Sequence, residues 1–187
     1  MQKIETSLPG VLLIEPDVFG DERGFFMESY HAEKFRELGI SNQFVQDNHS
    51  LSRRGTLRGL HYQLQNPQAK LCRVIRGEIL DVAVDIRRGS PHFGQWTSTI
   101  LSAANKRQIF IPAGFAHGFL VLSDEAEFLY KCDAFYDAGD ERGVLWSDPQ
   151  IGIDWRIPQK MELLLSQKDR QNPTLSTLGE DNLPLFE

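Results

Sequence analysis

Short runs of β-branched and aromatic residues, each cut off within a few positions by Gly, Asp or Pro, constrain this chain to a fold of many short strands. Segments 10–15, 73–86, 96–101, 108–112, 118–123 and 127–132 all read this way. Turn-forming stretches at 20–24, 87–91, 112–114, 138–143 and 147–149 punctuate them at the close spacing of a β-sandwich or barrel. Helical character is confined to two places. Residues 31–38 place Phe35 and Leu38 three apart and stop at Gly39, and a shorter stretch lies near 159–165.

A chain of 187 residues with 41% hydrophobic content suffices for one buried core. We read residues 1–187 as a single domain, without internal repeats or a flexible linker, and expect 174–187 to be a loosely held tail. The net charge of −6 argues against nucleic acid or an anionic membrane surface as a partner, since both call for a basic face. A phosphate-bearing ligand must then be gripped by a local basic pocket. The first residues lack the apolar core and cleavage site of a signal peptide, and no later apolar run approaches membrane-spanning length. A cytoplasmic location follows as the expectation. Cys72 and Cys132, with no CxxC spacing, read as buried reduced thiols.

The chemistry concentrates between residues 55 and 72, where Arg58, His61 and Lys70 share an otherwise largely uncharged stretch. A base, a guanidinium and an ammonium gathered there point to carbonyl chemistry on an anionic substrate. A second stretch, 111–122, brings His117 toward the same place if the strands pair. The bland alternative for His61 is a core histidine bonded to a backbone carbonyl. It loses weight because an apolar core rarely tolerates the nearby unpaired charge of Arg58.

As strands, 77–86 and 112–119 resemble the two halves of a cupin, a small double-sheet jelly roll with its ligand inside; the fold expected is mainly β with a few short helices. Many cupins hold a divalent metal on a His-x-His pair, a Glu and a later His. Here His61-Tyr62-Gln63 stands in the first motif, with no matching carboxylate at ligand spacing. An organic acid/base role is therefore preferred, with no metal and no cofactor.

The likeness extends beyond the fold. Segments 19–29, 44–50, 57–63, 82–87, 111–123 and 167–169 resemble, in order and spacing, the dTDP-4-dehydrorhamnose 3,5-epimerase family over about residues 1–172. The resemblance implies a metal-free homodimer acting on a dTDP-sugar, inverting C3 and C5 of dTDP-4-dehydro-6-deoxy-D-glucose to give dTDP-4-dehydro-L-rhamnose. It implies His61 as base, Asp169 as its carboxylate partner, Tyr130 as proton donor and Lys70 beside the enolate oxygen. Arg23 and Arg58 match diphosphate-binding positions, Tyr136 matches the aromatic that stacks on thymine, and Glu28, Gln46, Asp47, Asn48, His117, Glu141 and Lys168 match further pocket positions. The resemblance also implies exchange of the N-terminal strands, within 1–30, between subunits. Without it, Asp169 would read as a solvated loop residue, Tyr130 as a packed strand residue and Arg23 as a surface turn charge. The rivals are a C3-only epimerase or 3,4-ketoisomerase on the same nucleotide sugars, a non-catalytic sugar-binding cupin, and a metal-dependent oxygenase.

Overall fold

In chain order the elements are β1 (Gln2–Glu5), β2 (Leu12–Glu15), β3 (Val18–Asp21), β4 (Gly24–Met27), α1 (Ala32–Glu37), β5 (Gln46–Arg53), β6 (Leu57–Gln63), β7 (Lys70–Arg76), β8 (Glu78–Asp85), β9 (Trp96–Ser102), β10 (Gln108–Ile111), β11 (Phe115–Val121), β12 (Glu125–Cys132), β13 (Glu141–Gly143) and α2 (Gln167–Gln171). They come from a computed structural model that describes residues 1–186. One sheet has the order β1-β2-β10-β7-β12-β5 and the other β13-β6-β11-β8-β9. Neighbouring strands pair antiparallel throughout, which gives the mainly β, double-sheet architecture expected from the strand and turn pattern.

Period-two alternation sorts each strand between two environments. Along β11, Phe115, Phe119 and Val121 face the space between the sheets with Val74, Ile109 and Phe128. Ala116 and Leu120 point the other way, with Leu80, Val82 and Val84 of β8, against Val144, Ile151, Trp155, Leu175 and Leu183. Both faces of β8 are therefore covered, which is why its sequence is almost continuously apolar. The outer face of the other sheet, Leu12, Ile14, Leu71 and Phe110, is closed by Phe35 of α1 and Ile40 after it. Fully burying Phe35 is worth roughly 1.5–3 kcal/mol. Gly39, at φ +94°, turns the chain so that the Ile40 N–H donates back to the Phe35 carbonyl at 2.8 Å.

The apolar run 73–86 is two strands rather than one. Gly77, at φ +74°, passes the chain from one sheet to the other where a Cβ would stand 2.0 Å from the Glu125 carbonyl oxygen. The helix expected near 159–165 does not form. Leu164 is instead tied beside β6, its N–H donating to the Gly55 carbonyl at 2.8 Å and its carbonyl accepting from Leu57 at 3.0 Å. The helix lies just beyond, as α2, capped by Ser166 Oγ, which accepts from the Asp169 N–H at 3.0 Å.

The expected loose tail is docked over its described part. Leu175 and Leu183 are buried, the Arg88 N–H donates to the Pro184 carbonyl at 2.7 Å, and Tyr62 Oη donates to the Asn182 carbonyl at 2.6 Å. Apolar residues spaced along a polar segment were the missed signal. At the other end, β1 and β2 join the chain's own sheet, whereas β3 and β4 form a hairpin that, among the described residues, pairs only with itself and leaves Phe19, Phe25 and Phe26 exposed.

Candidate active site

The site begins with an irregularity in β6. His61 stands opposite His117 of β11, but Phe119, two residues on, stands opposite Arg58, three residues back. The extra residue is a β-bulge at Gly59 and Leu60. Gly59 sits at φ +129°, and a Cβ there would lie 2.6 Å from Gly118 Cα. Strict alternation would send Arg58 and His61 to opposite faces. With the bulge, both face the interior, and Arg58 Nε donates to Ser52 Oγ of the facing sheet at 3.3 Å.

His61 is gripped from outside its strand. Its Nε2 lies 2.6 Å from Asp169 Oδ1 on α2, a carboxylate only 3% exposed. Ser166 Oγ donates to the other oxygen, Oδ2, at 2.7 Å. Burial alone would raise the Asp169 pKa, but the bonds from His61, Ser166 and the Gly59 backbone outweigh it and hold the group below its ordinary range. Asp169 therefore stays ionised and keeps Nε2 as the donor, which leaves Nδ1 as the free base nitrogen. Glu141 Oε1 stands 3.9 Å from Nδ1. Glu141 also accepts from Tyr136 Oη at 2.8 Å and pairs with Lys168, and these contacts, against the opposing effect of burial, keep it ionised as well.

Across the interior, the six-stranded sheet supplies Tyr130 from β12 and Lys70 from β7. Burial pushes the Tyr130 phenol up to about 12, so it carries its proton at any physiological pH. Among the described residues, neither Lys70 nor Arg58 is within salt-bridge reach of a carboxylate, so both cations remain available to a ligand. His61, Lys70, Tyr130, Tyr136, Glu141, Gln46 and Asn48 line one cavity of about 230 Å³. Gln63 and Gln68 line it too; their positions carry no signal beyond two amides near a histidine.

Other expected residues fall elsewhere. Asp47, on the outer face of β5, pairs with Lys131 at 2.8 Å and lines an adjoining cavity of about 320 Å³ with Arg73 and Gln108, which shares Asn48 and Tyr130 with the His61 cavity. Arg23 is paired with Asp21 at the tip of the β3–β4 hairpin, and Glu28 is 2.7 Å from Lys34; neither lines the His61 cavity of its own chain. His117 lies deeper than expected. Its Nε2 is 3.0 Å from both oxygens of Asp81, a wholly buried carboxylate that sequence reasoning missed. The signal was an acid in the middle of the apolar run of β8.

A double-sheet jelly roll that sets a histidine–aspartate pair on one wall against a tyrosine and a lysine on the other defines a class: cupin-like acid/base enzymes acting on a small molecule held between their sheets. The family model described as dTDP-4-dehydrorhamnose 3,5-epimerase matches residues 5–177, and the chain belongs to that family. It is 58% identical to the dTDP-4-dehydrorhamnose 3,5-epimerase of Shigella flexneri over 171 residues, 90% of this chain and 93% of that one. Its structure matches that of the dTDP-6-deoxy-D-glucose-3,5-epimerase of Legionella pneumophila, solved in complex with dTDP-4-keto-L-rhamnose, with a TM-score of 0.96 and 50% identity over 100% of this chain and 98% of that one. A 3′-monoepimerase from Streptomyces bikiniensis, in complex with dTDP-quinovose, matches with a TM-score of 0.89 and 37% identity over 96% and 91% of the two chains. Among the described residues no helix is long and apolar enough to cross a membrane.

Proposed function

We propose that the protein epimerises C3 and C5 of dTDP-4-dehydro-6-deoxy-D-glucose, giving dTDP-4-dehydro-L-rhamnose for dTDP-L-rhamnose biosynthesis. The observation that carries this reading is the placement of base and acid on opposite walls of one cavity, His61 from the five-stranded sheet and Tyr130 from the six-stranded one. Inverting a carbon requires a proton to leave one face and another to arrive on the opposite face.

The 4-keto group acidifies the hydrogens on both neighbouring carbons, because the electron pair left behind delocalises onto the carbonyl oxygen as an enolate. His61 Nδ1 accepts the proton, Asp169 stabilises the imidazolium that results, and Lys70 stabilises the negative oxygen. Tyr130 then protonates the carbon from the other side. Its high pKa suits the task, since an enolate carbon is more basic than a phenolate. Arg58 holds the diphosphate through two N–H groups of its planar fork, Tyr136 stacks on the thymine, and Gln46, Asn48, Glu141 and Lys168 border the nucleotide sugar.

Arg23, Glu28 and the exposed phenylalanines of the β3–β4 hairpin fit a homodimer in which each hairpin crosses to its neighbour, burying those rings and completing the neighbour's pocket. A cytoplasmic site of action fits the two buried free thiols. The test is proton NMR of the 4-keto sugar nucleotide with metal-stripped protein in deuterated water. Deuterium at both C3 and C5 supports the double epimerase. Deuterium at C3 alone makes it a monoepimerase, and binding without exchange leaves a sugar-binding cupin.

A further inference from the structure

Deeper in the interior than the His61 cavity lies a second histidine–carboxylate pair. His117 is the register partner of His61 on the adjacent strand, so the two side chains leave the sheet on the same side, a few ångströms apart. Asp81 is wholly buried, places both oxygens 3.0 Å from His117 Nε2, and has no other hydrogen-bond partner among the described residues. A buried carboxylate without a cation or donor is costly, so this geometry fixes the Nε2 proton and points it at Asp81. Among the described residues His117 Nδ1 has no hydrogen-bond partner, and it is not among the sealed, unpartnered atoms, which are His31 Nδ1 and Asn172 Nδ2. It therefore remains open toward the interior.

Three neighbours define what Nδ1 faces. Cys72 places its sulfur within 4.8 Å of the Asp81 and His117 ligand atoms, and burial, reinforced by Asp81, keeps it a neutral thiol. Tyr130 is the register partner of Cys72, and Lys70 lies two residues before Cys72 on the same face. His61 thus stands beside His117 on its own sheet, and Tyr130 and Lys70 stand beside Cys72 on the facing one.

We infer that Asp81 is a positioning residue for the reaction: by holding Nε2–H inward it presents His117 Nδ1 to the keto oxygen and supports the imidazolium form, so that Nδ1–H donates to the enolate oxygen beside Lys70. The oxyanion then has two donors, one from each sheet. This inference rests on the epimerase reading of the neighbouring cavity, and it explains why a strand apolar between Glu78 and Asp85 carries an acid at its centre.

Two measurements test it. The first is nitrogen-15 NMR of the histidine side chains in the wild-type protein, with His117→Asn for assignment. The expected result, with dTDP-sugar bound, is a ring protonated on both nitrogens; a neutral ring, whether its proton sits on Nδ1 or on Nε2 alone, would overturn the inference whatever the activity. The second is a double-mutant cycle on deuterium wash-in at C3 and C5 with Asp81→Asn, His117→Asn and the pair, folding being checked by dTDP affinity. Asp81→Asn is expected to lower kcat roughly 10- to 100-fold with KM changed less than about threefold, and to cost almost nothing further once His117 is Asn. Independent, multiplicative losses, or a loss seen in KM and dTDP affinity instead of kcat, would make Asp81 merely structural. Absence of exchange by the wild type would defeat the epimerase reading itself and is thereby distinguishable.

Discussion

Replacing Asp169 by Asn isolates what the carboxylate does for His61. The exchange is nearly isosteric, and the amide can keep both contacts: its oxygen accepts from His61 Nε2, now 2.6 Å from Asp169, and its NH2 donates to Ser166 Oγ, now 2.7 Å away. Local geometry should therefore survive, while the charge that stabilises the imidazolium is lost. A charge-assisted bond in a partly screened site, with the His61 side chain 29% exposed, is worth about 2–4 kcal/mol in the transition state. That corresponds to a fall in kcat of roughly 30- to 1,000-fold. Proton exchange at C3 and C5 should fall together, because one base serves both carbons, and calorimetric dTDP affinity should stay within about threefold, because Asp169 does not line the cavity. A variant that keeps kcat within a factor of about three would refute the reasoning. So would exchange that fails at one carbon only, since that would place a different base at the other.

Tyr130→Phe removes the buried phenol that carries its proton up to about pH 12, and kcat should drop about 10²- to 10⁴-fold while dTDP affinity measured by calorimetry is unchanged. Arg58→Lys keeps the charge but loses the planar fork, so KM for the sugar nucleotide should rise about tenfold in steady-state assays with a smaller change in kcat. Gly59→Ala puts a Cβ 2.6 Å from Gly118 Cα at φ +129°, and chemical denaturation should show a loss of roughly 2–4 kcal/mol together with reduced kcat, as Arg58 and His61 lose their common face. Asp85, wholly buried, would have its pKa raised by burial but is held below its ordinary value by Arg87 and Ser90. A depressed carboxylate contributes stability above its unfolded pKa of about 4 and loses it as pH falls through the lower folded value, so the Tm gap between wild type and Asp85→Asn should be full at neutral pH and close on acidification below about pH 4.

What the sequence made legible follows from the range of the forces involved. Strand runs and turns are local, and so is the helix closed by Gly39; all are written in a few neighbouring residues. The stretches 55–72 and 111–122 suggested that His117 would approach His61 if their strands paired, and β6 and β11 do pair with those two residues in register. Nothing local reveals that Gly59 makes a bulge, because the close approach that forbids a Cβ there comes from Gly118, a residue 59 positions away in another strand. Asp169 is 108 residues from His61, and from composition alone it is one more polar residue in a polar stretch. The misplaced helix has the same origin. Residues 159–165 have helical composition, but Leu164 is claimed by a bridge to Thr56 that becomes visible only in three dimensions.

Putting base and acid on separate sheets has a chemical consequence of its own. If His61 and Tyr130 stood on one strand, the proton leaving and the proton arriving would share a face of the sugar ring, and the enolate would return to its starting configuration. In the proposed reaction the sandwich prevents this, because its interior is walled by two sheets whose side chains point toward each other and the ring would lie between them. Each wall is then anchored separately. Asp169 on α2, packed beside β6, holds the orientation of His61, and the pairing of β12 with β5 and β7 holds Tyr130 in the other sheet. A ring that presents C3 and, after a small rotation, C5 to the same pair of groups is inverted at both.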